Sequence, residues 1–299
     1  MAGLNFGEQV KVALLREESF KFLDSPLLYV FYILRSVIFP LLVILSLGFY
    51  LHTGAKLWRN LFVGTLAAAL FYCSLSVAKA PVAALIVLIG FLIYYRRGGM
   101  ISRKVVAVLL IGILFFPLAV VLIAYQGESS PLDVFYFIGD RLFYVPSEVV
   151  YFYFEVFPGQ HQYLYGRSID KFARLMGWAP FNTPNYVGVY ATRPGDLDSV
   201  SFNAAFIGDL NADFGMPGVL FGGVIAGLIM QLFHIYAVRL RKTATVVALY
   251  SFLAFTFWFL NSTSLTIVLL SDGAMIAVGL AWLFERAGQV PQLDARRFA

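Results

Sequence analysis

Residues 105–125, VVAVLLIGILFFPLAVVLIAY, carry no charge, and neither do residues 214–237, FGMPGVLFGGVIAGLIMQLFHIYA. Between them run about ninety residues, Gln126 to Asp213, rich in Tyr, Phe, Asp and Arg. That middle stretch is too polar to cross a bilayer and too aromatic for a floppy linker. The apolar stretches on either side are long enough, because a spanning helix needs roughly 20 apolar residues. The pattern predicts an all-α, polytopic integral membrane protein whose working part is the interruption.

Composition agrees. Hydrophobic residues make up 60% of the 299, and charged residues only 13%, where a soluble chain carries about 25%. With a mean hydropathy of +0.80, the chain cannot hide its apolar surface by folding on itself, so lipid must be its solvent. The net charge of +5 does not indicate nucleic acid, because Lys and Arg gather on the cytoplasmic loops of membrane proteins for topological reasons. The single cysteine, Cys73, lies inside an apolar run, which excludes an intramolecular disulfide and a cysteine metal cluster. Residues 1–26 lack a continuous apolar core and a small-residue cleavage site, so they do not read as a secretory signal. Val10, Leu14, Leu15, Phe20 and Phe22 suggest an amphipathic helix on the membrane face.

Candidate spans are 27–51, 60–78, 80–95, 104–125, 214–237, 244–260 and 263–284, about seven transmembrane helices with one large external loop containing amphipathic helices. Spans two and three are separated only by Lys79, Ala80 and Pro81, and spans six and seven by a turn at Asn261-Ser262-Thr263-Ser264. Lys56, Arg59, Arg96, Arg97, Arg103, Lys104, Arg239, Arg241, Lys242 and the tail arginines Arg286, Arg296 and Arg297 then share one side, the cytoplasmic one. The organisation is an interfacial segment (1–26), helices one to four (27–125), an outer loop (126–213), helices five to seven (214–285) and a cytoplasmic tail (286–299). The outer loop holds ten acids and five bases, Arg141, Arg167, Lys171, Arg174 and Arg193, a contrast that fits its side.

Inside the loop, residues 131–157 have helical spacing that Pro146 is expected to break or kink. On that helix Arg141, Tyr144, Glu148 and Tyr151 fall near one face. Arg141, Arg167 and Arg193 are the arginines in ordered-looking contexts, and guanidinium forks match phosphate oxygens and keep their charge; the plainer reading pairs them with the loop's own acids. Lys79 either snorkels to the interface or adds a second phosphate contact. Arg35 is deeper, within the first span, where a charge is functional or internally paired; Asp272 in the last span is its natural partner. Glu148 and Asp209 are candidate general bases, as is His161, the loop's one histidine. The loop tyrosines, Tyr144 and Tyr151 among them, suit an interfacial belt or a platform for sugar rings. Asn203, in the polar strip before the fifth span, is a further substrate-binding candidate.

Two acidic patterns carry less. Asp196-Leu197-Asp198 resembles a metal-holding pair, but three letters are weak and no metal site is assigned. Asp209-Leu210-Asn211-Ala212-Asp213 begins like a calcium loop, yet its glycine arrives one place late and Leu220 stands where a glutamate is required. Gly218, Gly222, Gly223 and Gly227 form two small-xxx-small patterns, read as close helix approach.

Taken together, SFNAAFIGDLNADFGMPGVLFGGVIAG (201–227), GDRLFYVPSEVVYFYFEVFPGQHQYLYGRSID (139–170) and SLSVAKAP (74–81) resemble the Wzy-type oligosaccharide repeat-unit polymerases, the O-antigen polymerase family, over residues 30–285. Members are usually longer and have more spans, so the chain is expected to lack spans that relatives carry upstream. The resemblance implies a multi-pass protein of the bacterial inner membrane. It implies joining of undecaprenyl-pyrophosphate-linked oligosaccharide units into a surface polysaccharide on the periplasmic face. No cofactor is implied. The implied partners are the lipid-linked oligosaccharide, membrane lipids, a chain-length regulator and a flippase, with no nucleic acid. It puts Arg141, Arg167 and Arg193 on the pyrophosphate, with Lys79 assisting, and leaves Glu148, Asp209 or His161 for the acceptor hydroxyl. Two rivals stand beside it: an O-antigen ligase passing glycan to another lipid, and a polysaccharide transporter without chemistry, which would place more polar groups along its spans.

Overall fold

The computed structural model of the chain describes Tyr136 and residues 25–75, 80–97, 139–192, 201–240 and 242–287. The expected interfacial segment before residue 25, the fourth span, Lys79, Arg193, Asp196, Asp198 and the tail from residue 288 lie outside the described residues, as does the side chain of Arg141.

The described residues are helical, with no strand. Helix α1 (Ser25–Ile33) passes through a π-helical turn (Leu34–Ile38) into α2 (Phe39–Thr53). The π turn is explained by Pro40. A proline ring clashes with the carbonyl four residues back, and one extra residue per turn gives it room. The same device recurs at Asp140–Tyr144, immediately before Pro146 in α5 (Val145–Val156). Pro146, expected to break or kink the helix, is therefore accommodated without ending it: Tyr144 and Val145 both stay in the right-handed helical region. The inserted residue also shifts Arg141 out of the simple register that placed it with Glu148 and Tyr151.

Gly54, at φ 68°, closes α2 by donating its N–H to Tyr50 O, a left-handed stop suited to glycine. A two-residue connector then forces α3 (Lys56–Leu75) to run back along α2. In α4 (Ala80–Arg96) the guanidinium of Arg96 donates to Leu51 O at 2.6 Å, which sets the ends of α4 and α2 side by side. After α6 (Asp170–Leu175), α7 (Thr183–Thr192) and α8 (Phe206–Arg239), helix α9 (Ala244–Trp258) runs up the centre. The Thr243 side chain caps its start by accepting from Val246 N–H. Leu249 and Phe252 of α9 are buried with Val37, Ile44, Leu88 and Leu92 in the principal core. The outward faces of the surrounding helices stay apolar and exposed, for example Leu61, Val63, Leu220, Val224 and Leu228, as a lipid-facing surface should.

Among the described residues four stretches are long and apolar enough to cross a membrane: Leu27–Thr53, Phe206–Arg239, Ala244–Asn261 and Leu265–Leu283. They match the first, fifth, sixth and seventh expected spans. The third corresponds to a shorter apolar helix, Pro81–Arg96, and residues 60–75 of the second lie in α3. The last span was expected as one helix. It is instead interrupted between α10 (Leu265–Leu270) and α11 (Ala274–Ala287), where Gly273 takes φ 87°. The helix directions gather Lys56, Arg59, Arg96, Arg239, Lys242 and Arg286 at one end of the bundle and place the start of α8 at the other.

Candidate functional site

Helix α8 is two helices joined by a corner. Gly215 has φ 67° and ψ −160°, outside helical geometry. Residues 206–214 therefore fold beside the longer part, so that a Cβ on Gly218 would lie 2.6 Å from Leu210 O and one on Gly222 would lie 2.6 Å from Leu210 Cδ1. The first small-xxx-small pair thus admits the chain's own preceding segment. Gly223 and Gly227 meet nothing within 4 Å.

This corner is the base on which the residues of the polar segment assemble. Helix α5 packs on the short arm where Gly208 leaves room for the Tyr153 ring. Tyr153 is fully buried and donates its hydroxyl to Phe202 O at 2.9 Å. Burial, and secondarily the negative charge of Asp209, raise its pKa and keep the phenol protonated. Buried Asn211 donates its amide to Phe157 O at 3.3 Å and Tyr153 O at 3.4 Å, closing the end of α5. Val149, Val156, Phe157, Leu164 and Val187 complete a second core separate from that of the bundle.

The turn Tyr163–Ser168 is fastened to the corner. Leu164 N–H donates to Ala212 O at 2.9 Å and Tyr165 N–H to Asp213 O at 3.0 Å. The buried Asp213 carboxylate accepts from Gly166 N–H at 3.0 Å, from Ser168 N–H at 3.3 Å and from the Ser168 hydroxyl at 2.5 Å. Tyr163 lies over Gly215, whose absent Cβ would be 2.8 Å from the ring. Arg167 is carried on this turn. Its carbonyl accepts from Phe181 N–H at 2.9 Å, and its guanidinium has no carboxylate partner among the described residues. Among the described residues the loop's ion pair is Arg174–Asp170, an exposed pair one helical turn apart.

The other candidates divide by position. His161 stacks among Phe181, Tyr186 and Phe157, with ring centroids 4.9, 5.3 and 5.5 Å away, so Phe181 links it to Arg167. Asp209 is half-buried on the short arm of α8, one turn before Asp213 and close enough to bear on Tyr153. Glu148 is half-buried in the first turn of α5, while Tyr144 and Tyr151 are exposed on that helix. Asn203 faces elsewhere: it lines a cavity with Arg35 and Asp272. Asp213 and Asn211 were not singled out from sequence as site residues. The signal was present in Asp209 and Asp213, which are one helical turn apart. Among the described residues no group of three or more His, Cys, Asp or Glu is placed to hold a metal.

The arrangement sets a cation, a carboxylate on the supporting helix and a group of aromatic rings at one end of the bundle. Comparison of the chain with protein-family models, curated proteins and solved structures finds no match.

Proposed function

We propose that the chain is a membrane-embedded glycosyltransferase that polymerises undecaprenyl-pyrophosphate-linked oligosaccharide units on the outer face of a bacterial inner membrane. The observation that supports it is Arg167, a guanidinium without a carboxylate partner among the described residues, on a turn held in place by Asp213.

In the reaction an acceptor sugar hydroxyl attacks the anomeric carbon of the donor. A new C–O bond forms, the bond to the diphosphate breaks, and the diphosphate leaves with the electron pair. Arg167, and Arg141 from the start of the loop helix, neutralise charge as it builds on that leaving group, which is where a preorganised donor has most effect. The hydroxyl proton passes to a carboxylate, for which Asp209 is the best supported, since it shares a helix with Asp213.

The reading is tested by deleting the gene and complementing with wild type or Arg167→Ala, then running the surface glycans on a gel. Loss of the length ladder, with a single unit still attached, is the expected result for both the deletion and the variant. A normal ladder with Arg167→Ala overturns the assignment, and loss of every attached unit points to a ligase.

Transport has one observation in its favour: two spanning helices are interrupted where they meet, at Leu34–Ile38 and at Ser271–Gly273, and each interruption carries a charge. Movement of lipid-linked oligosaccharide by the purified chain, without bond formation, would establish that alternative.

A further inference from the structure

Arg35 lies in the π turn of the first span, and Asp272 in the break of the last. The two irregular segments touch: a Cβ on Gly273 would fall 2.5 Å from Val37 Cγ1, so only glycine allows this approach. Around the contact is a cavity of about 450 Å³, within the range of small-molecule sites. Arg35, Asp272 and Asn203 supply its charge and amide, Ser262 and Thr263 supply hydroxyls, and Leu88 belongs to its apolar wall.

The two charges do not consume each other. No ion pair joins them within 4.0 Å among the described residues, and the buried Nε of Arg35 has no hydrogen-bond partner. The guanidinium lies over the Tyr32 ring, 5.0 Å from its centroid, and its buried Nε is left for an acceptor. Leaving such a donor unmet in a membrane interior is costly, and ionisable groups there mark ligand sites by default. An anion alone suits Arg35 but is repelled by Asp272. A neutral sugar suits Asp272 and Asn203 but leaves Arg35 unmet. A ligand carrying both an acidic phosphate and hydroxyl donors satisfies all three.

We infer that this cavity binds a phosphorylated carbohydrate, with the phosphate on Arg35 and sugar hydroxyls on Asp272 and Asn203. The site is distinct from Arg167. Its binding does not depend on the transfer reaction; only the further statement that it holds the second of two lipid-linked substrates rests on the proposed function.

The test uses the full chain in detergent micelles and two probes that share this chemistry: glucose 1-phosphate and a farnesyl-linked phosphoglucose. Binding is measured for wild type and Arg167→Ala, and for Arg35→Gln and Asp272→Asn each combined with Arg167→Ala. The expected result is binding that persists in Arg167→Ala, where the loop's own phosphate contact is removed, and that Arg35→Gln and Asp272→Asn weaken about tenfold or more in that background. If both probes bind, the headgroup alone is recognised; if only the prenyl probe binds, the source is a lipid. Absence of binding to wild type by either probe, or equal binding by a folded Arg35→Gln in the Arg167→Ala background, overturns the inference. Should Arg35→Gln not fold, Thr263→Cys gives a second readout, since bound probe should slow maleimide labelling there at least severalfold while Cys73 stays buried. Labelling that ignores the probe likewise overturns it. Because Arg167→Ala is expected to abolish polymer yet keep this binding, failure of one reading is separable from failure of the other.

Discussion

Asp213 and Ser168, 45 residues apart in sequence, are joined twice: the carboxylate accepts the Ser168 hydroxyl at 2.5 Å and its backbone N–H at 3.3 Å. Asp213 ends the short arm of α8 just before the Gly215 corner, and Ser168 follows Arg167. The corner of a long apolar helix thereby sets where Arg167 stands.

Asp213→Ala should loosen that turn. It leaves two backbone N–H groups and one hydroxyl without their acceptor, and bonds to a charged group contribute about 1.5–3 kcal/mol each. A net loss of about 3 kcal/mol is expected in thermal unfolding of the purified protein, with faster proteolysis between residues 163 and 168. Asp213→Asn keeps one acceptor oxygen and should lose only about 1 kcal/mol. Equal stability of the alanine variant and wild type would remove the clamp from the argument.

Arg167 separates placement from folding. Its side chain has no carboxylate partner among the described residues, so Arg167→Ala should leave the unfolding temperature within about a degree of wild type, a shift of a few tenths of a kcal/mol. Polymer output should fall about tenfold or more, as expected for loss of charge-assisted contacts to a diphosphate. Arg167→Lys keeps the charge but not the planar fork and should recover part of the ladder. Full recovery would mean that charge alone matters at this position; a large stability loss in the alanine variant would mean that the residue is structural.

How far the sequence could be read depended on the range of each interaction. Four apolar stretches were legible because hydropathy is a local sum. The sharing of one side by the basic residues followed from counting spans, and the bundle places those described at one end. Charges at Arg35 and Asp272 were legible as exceptional for the same local reason. Their lining of one cavity was not, since it depends on two helix interruptions meeting. The first π turn could have been anticipated from Pro40, whereas Pro146 was read as a break or a kink and its π turn was not foreseen. Asp213 escaped because its partners at 166 and 168 lie far back in the chain. Asp209 drew notice on its chemistry, and Asp213 carries the geometry.

Gly215 tests the corner directly. Its φ of 67° with ψ −160° belongs to a region that is essentially reserved for glycine, and Tyr163 occupies the place of a Cβ. Gly215→Ala is expected to lose about 2–4 kcal/mol, part backbone strain and part collision. Adding Tyr163→Ala relieves only the collision, so the double variant should regain some stability and stay below Tyr163→Ala alone. A neutral Gly215→Ala in thermal unfolding would show that the short arm does not turn here.

The glycines that follow should rank by what each one faces. At Gly218 a Cβ meets the Leu210 carbonyl oxygen at 2.6 Å, and backbone cannot step aside; at Gly222 it meets the tip of the Leu210 side chain at 2.6 Å, which can rotate; at Gly227 it meets nothing within 4 Å. Gly218→Ala is therefore expected to be the most destabilising, by about 2–3 kcal/mol, and Gly222→Ala intermediate, at about 1–2 kcal/mol. Gly227→Ala should be neutral or stabilising by up to about 1 kcal/mol, because alanine loses less backbone entropy in a helix. Combining Gly222→Ala with Leu210→Ala should show coupling, since removing the side chain removes the collision, whereas Gly218→Ala should not be rescued by that change. The reverse order, with Gly227→Ala the most damaging, would mean that the open pair is covered in the membrane by another helix and that the motif there serves association between helices and not the fold of the corner.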